Sequence, residues 1–203
     1  EMCIRDRYEV PEAYKQADPK FAKLIEVGER YIGYPYVWGG DSPETSFDCS
    51  GFISWIFKES GVRDVGRLGA TSLYGVCTPI EPEEARPGDL IFFQGTLGDG
   101  VAGNDGITHV ALYVGDGYIL NCGNPISYAD LSRAYWQEHF YGFGRIYEQS
   151  MAKKMNWRAD LQKIRNNREK ADNAAKRAEE KAKKLAQRQE EAENMGIIYV
   201  VSS

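Results

Sequence analysis

Glycine and proline divide this chain into two unlike parts. All eight prolines and every glycine except Gly196 lie before residue 148, while 151–194 contains neither and is rich in Lys, Glu, Ala, Arg and Gln. A segment of strong helix formers without a helix breaker has one natural conformation, a long α-helix rising about 1.5 Å per residue. The upstream part is punctuated by turn residues and must fold back on itself repeatedly. The sequence therefore predicts one compact domain followed by a long charged helix.

Charge follows the same division. Residues 1–147 carry 12 Lys and Arg against 21 Asp and Glu, a net of −9; residues 148–203 carry 13 against 9, a net of +4. An acidic folded part excludes nucleic acid as its main partner. The basic tail reads as a solvated helix face. Within it, alternating steps of four and three run from Trp157 and Leu161 to Ala192, a heptad rhythm whose seam is mostly alanine. Alanine buries little area, so 151–195 is expected as a long charged helix or weak coiled coil, with helix-mediated self-association through 157–192. Residues 196–203 read as a segment cut short. No apolar run approaches the roughly 18–20 residues of a membrane span. Glu1–Arg7 has no signal-peptide h-region and resembles the in-frame translation of a sequencing adapter, so 1–7 is expected to be an assembly artefact and 8–18 a linker.

The domain itself is expected over 19–147. Asp18-Pro19 combines an N-cap acceptor with proline at the first helical position, and Phe21, Leu24, Ile25, Val27, Tyr31 and Ile32 supply the buried stripe of a helix ending near Gly33. A Gly-, Pro- and Ser-rich loop follows from Tyr34 to Ser46. A second helix is predicted from Cys49 to Ser60, apolar on most faces and therefore largely buried. After Arg86-Pro87-Gly88 the texture changes to strands: Asp89–Phe93, a hairpin of His109–Val114 and Tyr118–Cys122 around Gly115-Asp116-Gly117, and a last strand over Phe140–Tyr147. Helices first and strands afterwards imply an α+β fold.

Of the cysteines Cys3, Cys49, Cys77 and Cys122, none has Cys-x-x-Cys spacing, and with two histidines in the chain no zinc site or other cofactor is expected. Cys77 and Cys122 read either as buried free thiols or as a disulfide pair. Cys49 differs in standing at a loop-to-helix junction, where unpaired amides and the helix dipole favour a thiolate. Strand alternation supplies its partners. In a hairpin whose paired numbers sum to 232, Asn121 opposes Ala111 and lies diagonal to His109 on the same face. Asn121 would hold one imidazole nitrogen and leave the other for Cys49, the nucleophile, base and orienter of a cysteine hydrolase. Gly98-Asp99-Gly100-Val101-Ala102-Gly103 formally matches a dinucleotide fingerprint, but it leads into a strand with no βαβ unit around it and is discarded. His139 reads as an ordinary structural residue.

Four blocks in order, Tyr36-Val37-Trp38-Gly39-Gly40, Phe47-Asp48-Cys49-Ser50-Gly51-Phe52, Arg86-Pro87-Gly88-Asp89-Leu90-Ile91-Phe92-Phe93 and His109-Val110-Ala111-Leu112-Tyr113-Val114-Gly115, resemble the NlpC/P60 family of papain-like cysteine peptidases. The resemblance covers about 20–147. It implies N-terminal helices packed on an antiparallel sheet and hydrolysis of peptidoglycan stem peptides, typically between D-glutamate and the following diamino acid, in an extracellular or cell-wall location. Cys49 would attack the γ-amide, His109 would act as base and then acid, and the Cys49 amide with the Tyr36 hydroxyl would hold the oxyanion. Asp48 and Ser50 match positions that face the substrate groove, and Gly95–Gly106 would form its rim.

The family's third polar residue is most often histidine, and that position falls on Asn121. Asparagine fixes a tautomer without supplying charge, which implies an active site with a changed pH profile. Gly66-Arg67-Leu68-Gly69-Ala70, Cys77-Thr78-Pro79 and Asn121-Cys122-Gly123-Asn124-Pro125-Ile126 look similar to wall hydrolases of Gram-positive conjugative elements, which commonly carry an upstream glycan-cleaving domain. The tail from Met151 resembles small coiled-coil proteins of such elements, as a fusion of neighbouring reading frames would give. Two alternatives stay open at this point: a related papain-like amidase or acyltransferase, and an inactive wall-binding or scaffolding module that works through its C-terminal helix.

Overall fold

The computed structural model describes residues 8–98 and 106–147, together with 170, 173, 176–184, 186 and 187. The chain divides into two compact units, Glu1–Gln162 and Lys163–Ser203. In the first, helices α1 (Glu12–Ala17), α2 (Pro19–Glu29) and α3 (Cys49–Glu59), with a small hairpin of β1 (Asp41–Ser42) and β2 (Ser46–Phe47), precede helix α4 (Ala70–Gly75). Strands β3 (Thr78–Ile80), β4 (Leu90–Gln94), β5 (Ile107–Gly115), β6 (Tyr118–Asn121), β7 (Ser127–Asp130) and β8 (Phe140–Arg145) form one sheet, with helix α5 (Ala134–Glu138) before the last strand. Its order is β3-β8-β4-β5-β6-β7 and all its pairs are antiparallel, as an α+β fold requires.

Local chemistry explains the helix starts. The Asp18 carboxylate accepts from the Lys20 and Phe21 amides at 3.0 and 3.3 Å, with Pro19 in the first turn. Helix α2 stops at Glu29, a turn earlier than expected; Ile32 is exposed and outside the apolar stripe, and Gly33 takes a φ of 94°. Residues 8–18, expected as a linker, instead carry α1 and pack on the domain. Tyr8 stacks on Tyr118 at 4.1 Å, and the Tyr14 hydroxyl donates to Asp116 at 2.7 Å.

Strand alternation sorts the core into two clusters. Phe92, Val110, Leu112 and Leu120 pack with α2 and α3, while Ile91, Phe93, Ala111, Tyr113, Ile119 and Phe143 pack together as the second cluster, which Trp136 of α5 joins. The β5–β6 register is the expected one, Leu112 opposite Leu120 and Tyr113 opposite Ile119. The turn is tighter than expected. Asp116 and Gly117 both have positive φ, a two-residue connection of the type that matches strand twist, and a bulge pairing Gly115 with Tyr118 absorbs the extra residue. Strand β7, the short β3 and α4 have no counterpart in the sequence reading.

Helix α3 sits so close to the loop before β1 that only glycine fits at its third residue. A Cβ on Gly51 would lie 2.1 Å from the Gly40 carbonyl oxygen, a backbone atom that cannot swing away. Gly51→Ala is therefore expected to destabilise the domain by about 3 kcal/mol, read as a shift in denaturant midpoint.

In the second unit, the described residues are helical and exposed, with Glu179–Lys183 and Glu180–Lys184 pairs at 2.7 and 3.0 Å one turn apart. Of the heptad seam, only Ala178 and Ala182 fall among them. The rest of the expected 151–195 helix, the 196–203 end, most of the Gly95–Gly106 rim and Glu1–Arg7 lie outside the described residues. Among the described residues no helix is long and apolar enough to cross a membrane.

Candidate active site

Cys49 is the first residue of α3, and its position is set by the residue before it. Asp48 caps the helix: one carboxylate oxygen accepts the Gly51 amide at 2.7 Å and the Ser50 hydroxyl at 3.0 Å, the other the Gly39 amide at 3.1 Å. Arg67 pairs with that second oxygen and donates to the Ser50 hydroxyl at 3.0 Å. Asp48 and Ser50, expected to face the substrate groove, are both buried and turned into this cap. Their oxygens are engaged by the helix start, the loop and Arg67.

The thiol is buried, and this reverses one expectation. The amides of Val110, Ser50 and Cys49 itself favour a thiolate, but burial opposes them and the Asp48 charge adds to it, pushing the Cys49 thiol up to about 11. A helix start alone does not make this cysteine acidic. The Tyr36 hydroxyl neighbours the thiol, and burial first, with the Asp48 charge adding to it, holds it protonated well beyond the usual phenol range.

His109 and Asn121 meet as the hairpin register requires, with His109 Nε2 and Asn121 Oδ1 2.7 Å apart. With the amide oxygen as acceptor, Nε2 carries the proton and Nδ1 is the basic nitrogen. The ring is packed by Phe93 and Trp136, centroids 6.0 and 5.9 Å away. That burial lowers its proton affinity; the Asn121 bond and the Asp48 charge oppose the effect less strongly. Asn121 is itself confined, because a Cβ on Gly123 would come within 2.8 Å of its amide nitrogen. By strand parity His109 belongs to the face away from α3. Cys49 reaches the same strand one residue on, where it takes the Val110 amide.

An open groove of about 540 Å³ runs past His109 and Asn121, lined also by Tyr36, Trp38, Tyr135 and Trp136 among others. Trp38, 75% exposed, and Tyr135 offer aromatic surface to a ligand there. The sequence reading missed Arg67, Trp38, Tyr135 and Trp136 as site residues. Arg67 was visible only as a charge inside a glycine-bracketed motif, and its partner lies 19 residues earlier in the chain.

Arg67 is the cation that neutralises Asp48 beside the thiol. Arg67→Leu is expected to lower stability by about 1–3 kcal/mol, with Arg67→Lys recovering part of it because lysine lacks the fork that spans Asp48 and Ser50. Thermal melts of both variants check this.

A cysteine at a helix start, against an antiparallel sheet that carries a histidine and its amide partner, is the arrangement of the papain-like fold. The NlpC/P60 family model matches residues 33–145, and the chain belongs to that family. It is similar to the bifunctional muramidase/DL-endopeptidase CwlT of Bacillus subtilis strain 168, 45% identical over 127 residues that make up 62% of this chain and 36% of the relative. It is also similar to the murein DD-endopeptidase MepH of Escherichia coli K12, 40% identical over 57% of this chain and 42% of the relative. A solved structure of an NLP/P60 family lipoprotein-like protein from Staphylococcus aureus Mu50 superposes with a TM-score of 0.58 at 40% identity, covering 64% of this chain and 42% of that one. The chain thus spans well under two thirds of the length of these relatives.

Proposed function

We propose that the domain is a cysteine peptidase of the bacterial wall that cuts peptidoglycan stem peptides between D-glutamate and the following diamino acid. The observation that carries this reading is the His109–Asn121 contact at 2.7 Å on the strand that also gives Cys49 the Val110 amide. The names of the relatives support wall peptide hydrolysis and differ over the bond, DL in CwlT and DD in MepH. The substrate lies outside the membrane, so the enzyme works there too.

In this mechanism Nδ1 of His109 takes the thiol proton as Sγ attacks the carbonyl. Charge on the carbonyl oxygen is met by the Cys49 amide and the Tyr36 hydroxyl, which burial keeps protonated and able to donate. His109 then protonates the leaving amine, and water, deprotonated by the same imidazole, releases the acyl group from sulfur. Burial raises the thiol and lowers the imidazole, so both are neutral in the resting enzyme.

The test is a digest of purified muropeptides followed by mass. The expected products carry a free γ-carboxyl on D-glutamate and a free amine on the diamino acid. Stems released with a free lactyl group identify an amidase instead, and an unchanged mass spectrum identifies a module without hydrolytic activity.

A further inference from the structure

Cys77 and Cys122 are both free, as is Cys49, and their surroundings explain why the first two do not pair. Cys77 donates to the Leu73 carbonyl at 3.1 Å and lies against Gly144 of β8. Cys122, fully buried, donates to the carbonyl of Phe47 at 3.5 Å, two residues before Cys49. Cys122 is the residue after β6, and β6 pairs with β5, whose Val110 amide bonds Cys49. Both sulfurs belong to the same buried cluster.

We propose that Cys49 and Cys122 form a reversible oxidation site that protects the nucleophile from hydrogen peroxide. The proposal rests on Cys49 being the nucleophile. In the first step the Cys49 sulfur attacks peroxide as Nδ1 of His109 takes the thiol proton; the O–O bond breaks, sulfur loses two electrons to become a sulfenic acid, and hydroxide leaves with that proton as water. In the second step the Cys122 sulfur attacks the sulfenic sulfur. The S–S bond forms, the S–O bond breaks, and the departing hydroxide leaves as water with the Cys122 proton. An external dithiol reduces the disulfide and restores both thiols. Without Cys122 the sulfenic acid has no adjacent thiol and goes on to the irreversible sulfinic acid. A sulfur bridging the two cysteines also blocks attack on substrate, so oxidation and inactivity coincide.

The experiment treats the full chain and its Cys122→Ser and Cys77→Ser variants with hydrogen peroxide, then with dithiothreitol. Hydrolysis is scored against each protein's own untreated rate. Wild type and Cys77→Ser are expected to lose activity with peroxide and recover to within about twofold on reduction, whereas Cys122→Ser recovers less than about a tenth. A non-reducing peptide map of oxidised wild type should contain one cross-linked peptide joining Cys49 to Cys122. A map without that peptide, a bond from Cys122 to any other thiol, or full recovery in Cys122→Ser overturns the proposal. The map is read on wild type, so it decides even where a variant folds poorly. Since the map needs no substrate, a chain that cross-links but cleaves no muropeptide counts against the peptidase reading alone.

Discussion

Replacing Cys49 with alanine is expected to reduce muropeptide hydrolysis by roughly 10⁴-fold or more while leaving the domain folded. The separation of the two effects follows from who holds the helix start. Asp48, not Cys49, caps α3 through the Gly51 amide, and Phe52, Ile53, Ile56 and Phe57 anchor the helix by complete burial. Losing one sulfur from this setting removes about 1 kcal/mol of packing, which a denaturation curve will register as a small shift. Cys49→Ser is expected to be equally inactive, because the hydroxyl preserves the shape and the Tyr36 contact but is a far poorer nucleophile. Hydrolysis within tenfold of wild type in either variant would place the chemistry on another residue. The raised thiol adds a second readout. Iodoacetamide, which reacts with the thiolate, should alkylate Cys49 at pH 6 no faster than an ordinary thiol, while the same enzyme at the same pH turns over substrate. Slow alkylation is therefore the signature of a neutral resting pair and not of a dead site.

What could be read from the chain was what local chemistry decides. The Asp18-Pro19 start, the Cys49 helix start and the pairing of Tyr113 with Ile119 depend on residues within a few positions of one another, and all three are seen. Even there, the turn escaped by one residue. Positive φ at Asp116 and Gly117 with a bulge beside them gives the same register as a three-residue loop, and sequence spacing cannot separate the two. Strand β7 was missed for a different reason. Ser127–Asp130 has no apolar alternation of its own and is a strand only because β6 pairs with it. Tyr8 and Tyr14 read as linker because the groups that hold them, Tyr118 and Asp116, lie more than a hundred residues away. The acidity of Cys49 was misjudged on the same principle. The helix start is local and favours the thiolate, but the burial that overrides it is assembled from α2, α3 and the sheet, and no window of sequence contains it.

Removing the imidazole by His109→Ala is expected to cost roughly 10³–10⁴-fold in kcat/KM, and the Asn121 variants to show how that imidazole is tuned. Asn121→Ala deletes one hydrogen bond to a group that becomes charged in the reaction, worth about 1.5–3 kcal/mol, or roughly 10- to 100-fold in rate. The pH profiles carry the sharper information. Burial lowers His109 below its ordinary value, and the Asn121 bond partly offsets this, so the base is available above a limb that lies on the acid side of an ordinary histidine. Without the bond the limb moves further to acid even as the maximum rate falls. Asn121→Asp places a carboxylate on Nε2, favours the imidazolium, and moves the limb the opposite way, to higher pH. Stability obeys the same sign. A histidine buried with a lowered value contributes its full stability above its unfolded value and loses it as pH falls through the folded one, so lowering that value further in Asn121→Ala should deepen the loss of stability on acidification, as far as His109 governs it. Two substitutions at one residue that shift the limb in opposite directions cannot be produced by a general loosening of the fold. A limb that stays put in both would mean that His109 is not the base.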